Sequence, residues 1–167
     1  WTTGIDAGDT FGSPCVPATY CNIPDQNFYD ALLVAYPALT TGTGNEILDT
    51  DLAAITTLTL TMTTTPDPNG IANMSGIECF TGLTYLNIKH NQVTSLNMSN
   101  SPNLVTLIAG FNQISSHDIS QNTALTKLHL EHNLITSIDV TPHTQLFELN
   151  LNNDQLTSLD VSQNTLL

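Results

Sequence analysis

Apolar positions recur along this chain with a fixed period. Leucines stand at Leu83, Leu104, Leu125, Leu146 and Leu167, each 21 residues after the one before. The four units between them align without a gap: LTYLNIKHNQVTSLNMSNSPN, LVTLIAGFNQISSHDISQNTA, LTKLHLEHNLITSIDVTPHTQ and LFELNLNNDQLTSLDVSQNTL. Their first, fourth and sixth positions are apolar throughout, from Leu83, Leu86 and Ile88 to Leu146, Leu149 and Leu151. Apolar fourth and sixth positions alternate with polar neighbours, the period of a β-strand. Each unit therefore predicts one short strand, and stacking the units makes a parallel sheet. The eleventh, fourteenth and sixteenth positions are mostly apolar too, as in Val93, Leu96 and Met98. They fill the core from the return side of each coil. Ser-Leu-Asp-Val-Ser alternates again, which predicts a second short extended stretch there rather than a long helix.

The ninth position holds Asn91, Asn112, Asn133 and then Asp154. A turn inside a stack of coils strands backbone N–H and C=O groups. Asparagine both donates and accepts, so a column of them forms a ladder from coil to coil. Asp154 lacks the amide donors, which predicts a more solvated loop or a perturbed carboxyl. His117 stands where the other units have Leu96, Ile138 and Leu159. It is expected to pack its ring partly inside with one nitrogen bonded.

The motif L-x-x-L-x-L-x-x-N-x-L, recurring in register, is the leucine-rich-repeat signature. Its 21-residue form, ending T-S-L-D-V-S-x-N-T-x-L, resembles the repeats of bacterial internalin-type surface proteins and of secreted leucine-rich-repeat proteins of Bacteroidetes. The resemblance covers about residues 55 to 167. It implies a right-handed α/β-horseshoe-class solenoid with a parallel sheet on the concave face and a short extended or irregular convex side. Some relatives carry a cysteine ladder at the sixth position, where this chain has Ile88, Ala109, Leu130 and Leu151.

Upstream, Ile55-Thr-Thr-Leu58-Thr-Leu60 starts an irregular first unit 28 residues before Leu83. Its insertion, Thr63 to Gly70, reads as a loop. A helical N-terminal cap is expected over residues 21–54, because solenoid ends otherwise expose their core. Asp25 is a suitable N-cap for a helix running to Tyr36, Pro37 a stop, and Glu46 to Ala54 a second short helix. The segment around Ile23-Pro24-Asp25 and Gly44-Asn-Glu-Ile47 resembles the start of the same bacterial proteins. Thr41 and Thr43 stand where a calcium loop would want acids, so an ordinary loop is expected. Residues 1–20 read as a tether. Leu166 closes the fourth unit and Leu167 begins a fifth, so this end is expected either to continue in a longer chain or to pair with another copy.

Charge narrows the partners. Lys89 and Lys127 are the only basic residues against fifteen acids, a formal net charge of -13. Nucleic acid would repel such a protein. No run of about 18 apolar residues exists, so no membrane insertion is expected. Of three cysteines, Cys15 and Cys21 lie close together and are expected to form a disulfide suited to an oxidising compartment. Cys79 is expected to be a buried free thiol.

Candidate chemistry falls on the outward strand positions of the concave face. Ile108 and Phe111 are apolar where solvent is expected, and Tyr85, His90, His129 and His132 surround them. With Lys127 and Glu148 they form a candidate ligand-binding patch. His90 and His132 stand about 10 Å apart with Phe111 between, which is poor metal geometry. No nucleophile, base and orienting acid recur at a recognisable spacing. Asp118, Asp139 and Asp160 form a column that turn chemistry explains. The expectation is an extracellular, non-enzymatic binding module with no cofactor or metal. Its partner is a protein ligand, as the resemblance implies, or a cell-surface glycan held by Tyr85, Phe111 and the Asn-rich fourth unit. The remaining alternative is a structural spacer.

Overall fold

A computed structural model describes residues 19–62 and 70–167. The expected lead-in, Cys15 and nearly all of the Thr63–Gly70 insertion lie outside the described residues.

The alternating apolar positions form strands as the period requires. β1 (Tyr20–Asn22), α1 (Gln26–Ala35), β2 (Glu46–Leu48) and α2 (Asp49–Ala53) precede β3 (Thr57–Thr59). A short 3-10 turn, Ile77–Cys79, leads into β4 (Tyr85–Asn87). Then come β5 (Ser95–Asn97), β6 (Thr106–Ile108), β7 (Ser116–Asp118), β8 (Lys127–His129) and β9 (Glu148–Asn150). β3, β4, β6, β8 and β9 make one five-stranded parallel sheet. Its register is set by the leucines: Leu58, Leu86, Leu107, Leu128 and Leu149 stand side by side. A one-residue slip would turn all five outward. On the return side β5 pairs with β7, parallel, so the convex side is extended and carries no long helix. This is the parallel-sheet solenoid of a leucine-rich repeat.

The first, fourth and sixth positions have no exposure at all from Leu83 through Leu130 and Leu146. Each such side chain contributes roughly 1.5–3 kcal/mol by leaving water. In the last coil Leu159, Val161, Leu166 and Leu167 are exposed.

The first coil is flanked by α1. Asp25 caps that helix by accepting from the Phe28 N–H. Its other carboxylate oxygen accepts from the N–H groups of Ala72 and Asn73, which fixes the helix against the first coil. Phe28 stacks on Phe80, both fully buried.

Three expectations are corrected here. Glu46–Leu48 is a strand antiparallel to β1, and only Asp49–Ala53 is helical. The β1 pairing competes successfully with helix formation because it buries Cys21 and Ile47. The disulfide joins Cys21 to Cys79, not Cys15 to Cys21. β1 brings Cys21 against the 3-10 turn, with 6.4 Å between the two Cα atoms and 58 residues of chain between them. Cys79 is accordingly half-buried and bridged, not a free thiol.

Asparagines seal the coils. The Asn112 amide donates to the carbonyls of Ile88 and Ala109, and its oxygen accepts from the Val93 N–H. Asn91 does the same for Leu60, Ile88 and Ile71, and Asn133 for Ala109, Leu130 and Ile114. Asp154 accepts from the Ile135 N–H, but its second oxygen is buried without a partner. Burial pushes this carboxyl above the usual range, against hydrogen bonds from the Ile135 and Asn133 backbone. A raised folded-state pKa penalises the charged form. Asp154 therefore weakens the fold at neutral pH, and the penalty is relieved as pH falls through the raised value toward the unfolded one. Asp154→Asn would supply donors toward the Leu130 and Leu151 carbonyls. At about 1 kcal/mol per hydrogen bond, it should raise stability at pH 7 by roughly 1–2 kcal/mol. The gain should shrink toward pH 4 in urea titrations; a variant no more stable than wild type at pH 7 would contradict this account.

Candidate functional site

A second polar column runs along the opposite side of the core. Ser101, Asn122, His143 and Asn164 occupy the nineteenth position and are all buried. Ser101 Oγ donates to the Phe80 carbonyl. Asn122 donates to the carbonyls of Met98 and Ser101, and Asn164 to those of Val140 and His143. His143 Nε2 lies 3.0 Å from the Ile119 carbonyl. Sequence reasoning missed this column. Its signal was a run of small polar residues in register, disguised by the change from Ser to Asn to His.

The aspartate column is spent on turns. Asp118, Asp139 and Asp160 each accept from the N–H two residues on. The backbone and hydroxyl of Ser120, the hydroxyl and backbone of Thr141, and the backbone and hydroxyl of Ser162 hold these carboxyls below their ordinary range. His117 is half-buried with Nδ1 unpartnered, and burial pushes its pKa down. It borders a convex-side cavity of about 530 Å³ with Ser116, Asp118, Ser137 and Asp139. Among the described residues, Cys21, Asp49 and Cys79 are the set close enough to hold a metal ion. Their two sulfurs are joined to each other.

The concave face is where charge and rings gather. The strand register lines up Tyr85, Thr106, Lys127 and Glu148 in one row. Asn87, Ile108, His129 and Asn150 form the next. The sheet thus brings together the candidate residues Tyr85, Ile108, Lys127, His129 and Glu148, with Phe111 and His132 in the turns just beyond. Ile108 and Phe111 are half-buried rather than fully exposed, because neighbouring rows cover them.

Both lysines of the chain are tied into ion pairs here. Lys127 Nζ lies 2.6 Å from Glu148, whose other oxygen is 2.7 Å from His129 Nε2. The Lys127 hydrogen bond, chiefly, holds the Glu148 carboxyl below its ordinary range. Lys89 reaches across one whole coil to Glu131 at 2.9 Å. Gly110 lies between them, and a Cβ there would sit 2.5 Å from the Glu131 carboxyl carbon. The missing side chain is what lets the buried Glu131 carboxylate lie under Lys89. Lys89 and Glu131 were not singled out together from the sequence; their signal was a glycine between opposite charges in one column.

Beside these pairs the rings stack. Phe111 lies between His90 and His132, with centroids 4.6 Å and 4.2 Å away, and Lys89 Nζ is 4.9 Å from its centre. His132 Nε2 continues the row to the Asn153 amide at 3.0 Å. All four residues of this column have left-handed backbones, with φ between 57° and 65°. That conformation costs side-chain-bearing residues about 1–2 kcal/mol each. The ring stack and the asparagine that follows each of His90, Phe111 and His132 hold these three in place.

Comparison with solved structures gives the same architecture. The functional domain of InlJ from Listeria monocytogenes, which includes a cysteine ladder, is 33% identical with a TM-score of 0.75. The match covers 86% of this chain and 30% of that one. The internalin InlF from the same organism is 29% identical with a TM-score of 0.67, over 86% of this chain and 42% of that one. The chain thus spans less than half the length of either. No family model and no curated protein matches the sequence.

Proposed function

We propose, with an internalin-like leucine-rich-repeat solenoid as the premise, that this chain is an extracellular module that captures a protein partner on its concave face. The observation that carries this reading is the patch built from Lys89, Phe111, Lys127, His129, Glu131 and Glu148. It concentrates both lysines of an otherwise acidic chain on one rigid sheet. Ion pairs and stacked rings already hold these side chains in one geometry, so docking a partner orders little more. The disulfide fits an oxidising compartment. Nothing in the patch joins a nucleophile to a base, so the role is binding rather than catalysis.

A glycan platform is less well supported. Stacking a sugar needs a free aromatic face, and both faces of Phe111 are covered by imidazoles. A featureless spacer would not need the Lys89–Glu131 pair or the glycine that accommodates it.

Phe111→Asp tests the reading. Aspartate tolerates the left-handed backbone, so the variant should fold, as circular dichroism will show. It removes the central ring and places a negative charge beside Glu131. Wild type should capture a protein from cell-surface extracts, and the variant should bind it at least about tenfold more weakly. Equal capture by the folded variant would overturn the concave-face assignment. Capture from a glycan library alone would replace protein with sugar.

A further inference from the structure

Among the described residues the five-stranded sheet ends at β3, and α1 runs beside that edge. Residues of even number there face β4: the Leu60 N–H donates to Asn87, the Met62 N–H to Lys89, and the Thr56 carbonyl accepts from Thr84. In a strand, successive main-chain groups point to opposite sides. The N–H and C=O groups of Thr57, Thr59 and Thr61 therefore point away from the sheet. Of these, the Thr57 carbonyl is bonded by the Tyr36 hydroxyl. The others have no partner among the described residues. Such a row is a template for an added strand.

A wall runs beside this edge. α1 and the turn after it leave two adjoining cavities along β3, of about 640 and 360 Å³. Ala31, Val34 and Ala35 line the one next to Thr59 and Thr61. Tyr36, Leu39 and Ile55 line the one next to Thr57. Val34 is 85% exposed, the highest value among the exposed large apolar side chains of the described residues. The groove thus offers main-chain hydrogen bonds on one side and apolar surface on the other, the two components of strand-addition recognition.

Charge selects the occupant. Asp30 lines one cavity and Asp51 the other, and no basic residue lines either. Both lysines are committed to ion pairs on the concave face. A second copy, carrying the same net charge of -13, would be repelled. We propose that the groove between β3 and α1 is a second docking site, which takes an extended peptide from another protein as an added strand, with apolar side chains toward α1 and basic residues at its ends. This site is independent of the concave-face reading.

The probe is a fluorescein-labelled nonapeptide of alternating valine and threonine with lysine at both ends. A glutamate-ended counterpart is the control. Fluorescence anisotropy with the whole chain should show the lysine-ended peptide binding about tenfold more tightly than the control at low salt. Thr59→Pro removes an outward N–H and no bond to β4, a position where an edge strand tolerates proline. It should weaken binding about tenfold while leaving the circular dichroism spectrum unchanged, and Val34→Ser should weaken it several-fold. Phe111→Asp should have no effect on this probe, which separates this site from the concave face. Equal affinity for the two peptides, or binding undiminished in Thr59→Pro, overturns the proposal. So does self-association in sedimentation that Thr59→Pro abolishes, which would make a second copy the occupant. Binding seen only after deletion of residues 1–18 would assign the groove to the chain's own N-terminal segment and likewise overturn it.

Discussion

Asn133→Ala should destabilise the protein by about 4 kcal/mol. The side chain is 5% exposed and serves both coils it touches. Its loss strands the Leu130 carbonyl and the Ile114 N–H in the interior and leaves the Ala109 carbonyl with Asn112 as its one amide donor. Each such orphan costs about 1–3 kcal/mol, and some hydration of the widened turn lowers the sum. Solenoid stability is a sum of unit and neighbour terms, so the loss falls on the junction between two coils. Urea titration should therefore show a lower midpoint and a broader transition, as the coils beyond the junction unfold ahead of the rest. Thr136→Ala, at an exposed position nearby, should change stability by less than about 0.5 kcal/mol. A loss at Asn133 as small as that at Thr136 would mean that water serves these turns equally well.

Breaking the Cys21–Cys79 bond should cost a similar amount. Closing a loop with 58 residues of sequence separation removes roughly 4 kcal/mol of denatured-state entropy in the chain-entropy account. The bond also fastens β1 to the 3-10 turn ahead of the first regular unit, and no other covalent link does so among the described residues. Cys79→Ala and reduced wild type should melt at the same lowered midpoint, and adding reductant to the variant should change nothing. Peptide mapping without reduction should recover Cys21 linked to Cys79. Recovery of Cys21 linked to Cys15, with no effect of Cys79→Ala beyond that of a small cavity, would refute the pairing.

Period made the solenoid legible from the residues alone. Leucine at every twenty-first position specifies the strands, their register and the inward columns, because each unit faces the same packing problem. The asparagine column was legible for the same reason. What escaped was whatever depends on single, non-repeating contacts. Cys79 meets Cys21 only because β1 pairs with Glu46–Leu48, and no local pattern announces that pairing. The left-handed backbone at His90, Phe111 and His132 was hidden because phenylalanine is uncommon there and histidine, though enriched, is a weak marker; glycine is absent from the column and asparagine stands only at Asn153. At the candidate site the face and most of its members could be read. The salt bridge from Lys89 over Gly110 to Glu131 could not, since it skips a coil.

The asparagine ladder has a direction. Asn112 bonds the Ile88 carbonyl and the Val93 N–H, and Asn133 those of Ala109 and Ile114, all in the coil before. Every coil is thus clasped by its successor, like overlapping roof tiles. Tension applied beyond Leu151 meets the clasps one at a time and peels coils off in sequence, each releasing a chain length of roughly 70 Å when extended. Tension at the other end first meets the covalent tie between Cys21 and Cys79. A tether bearing load through this protein would therefore yield in steps from one side and hold firm on the other.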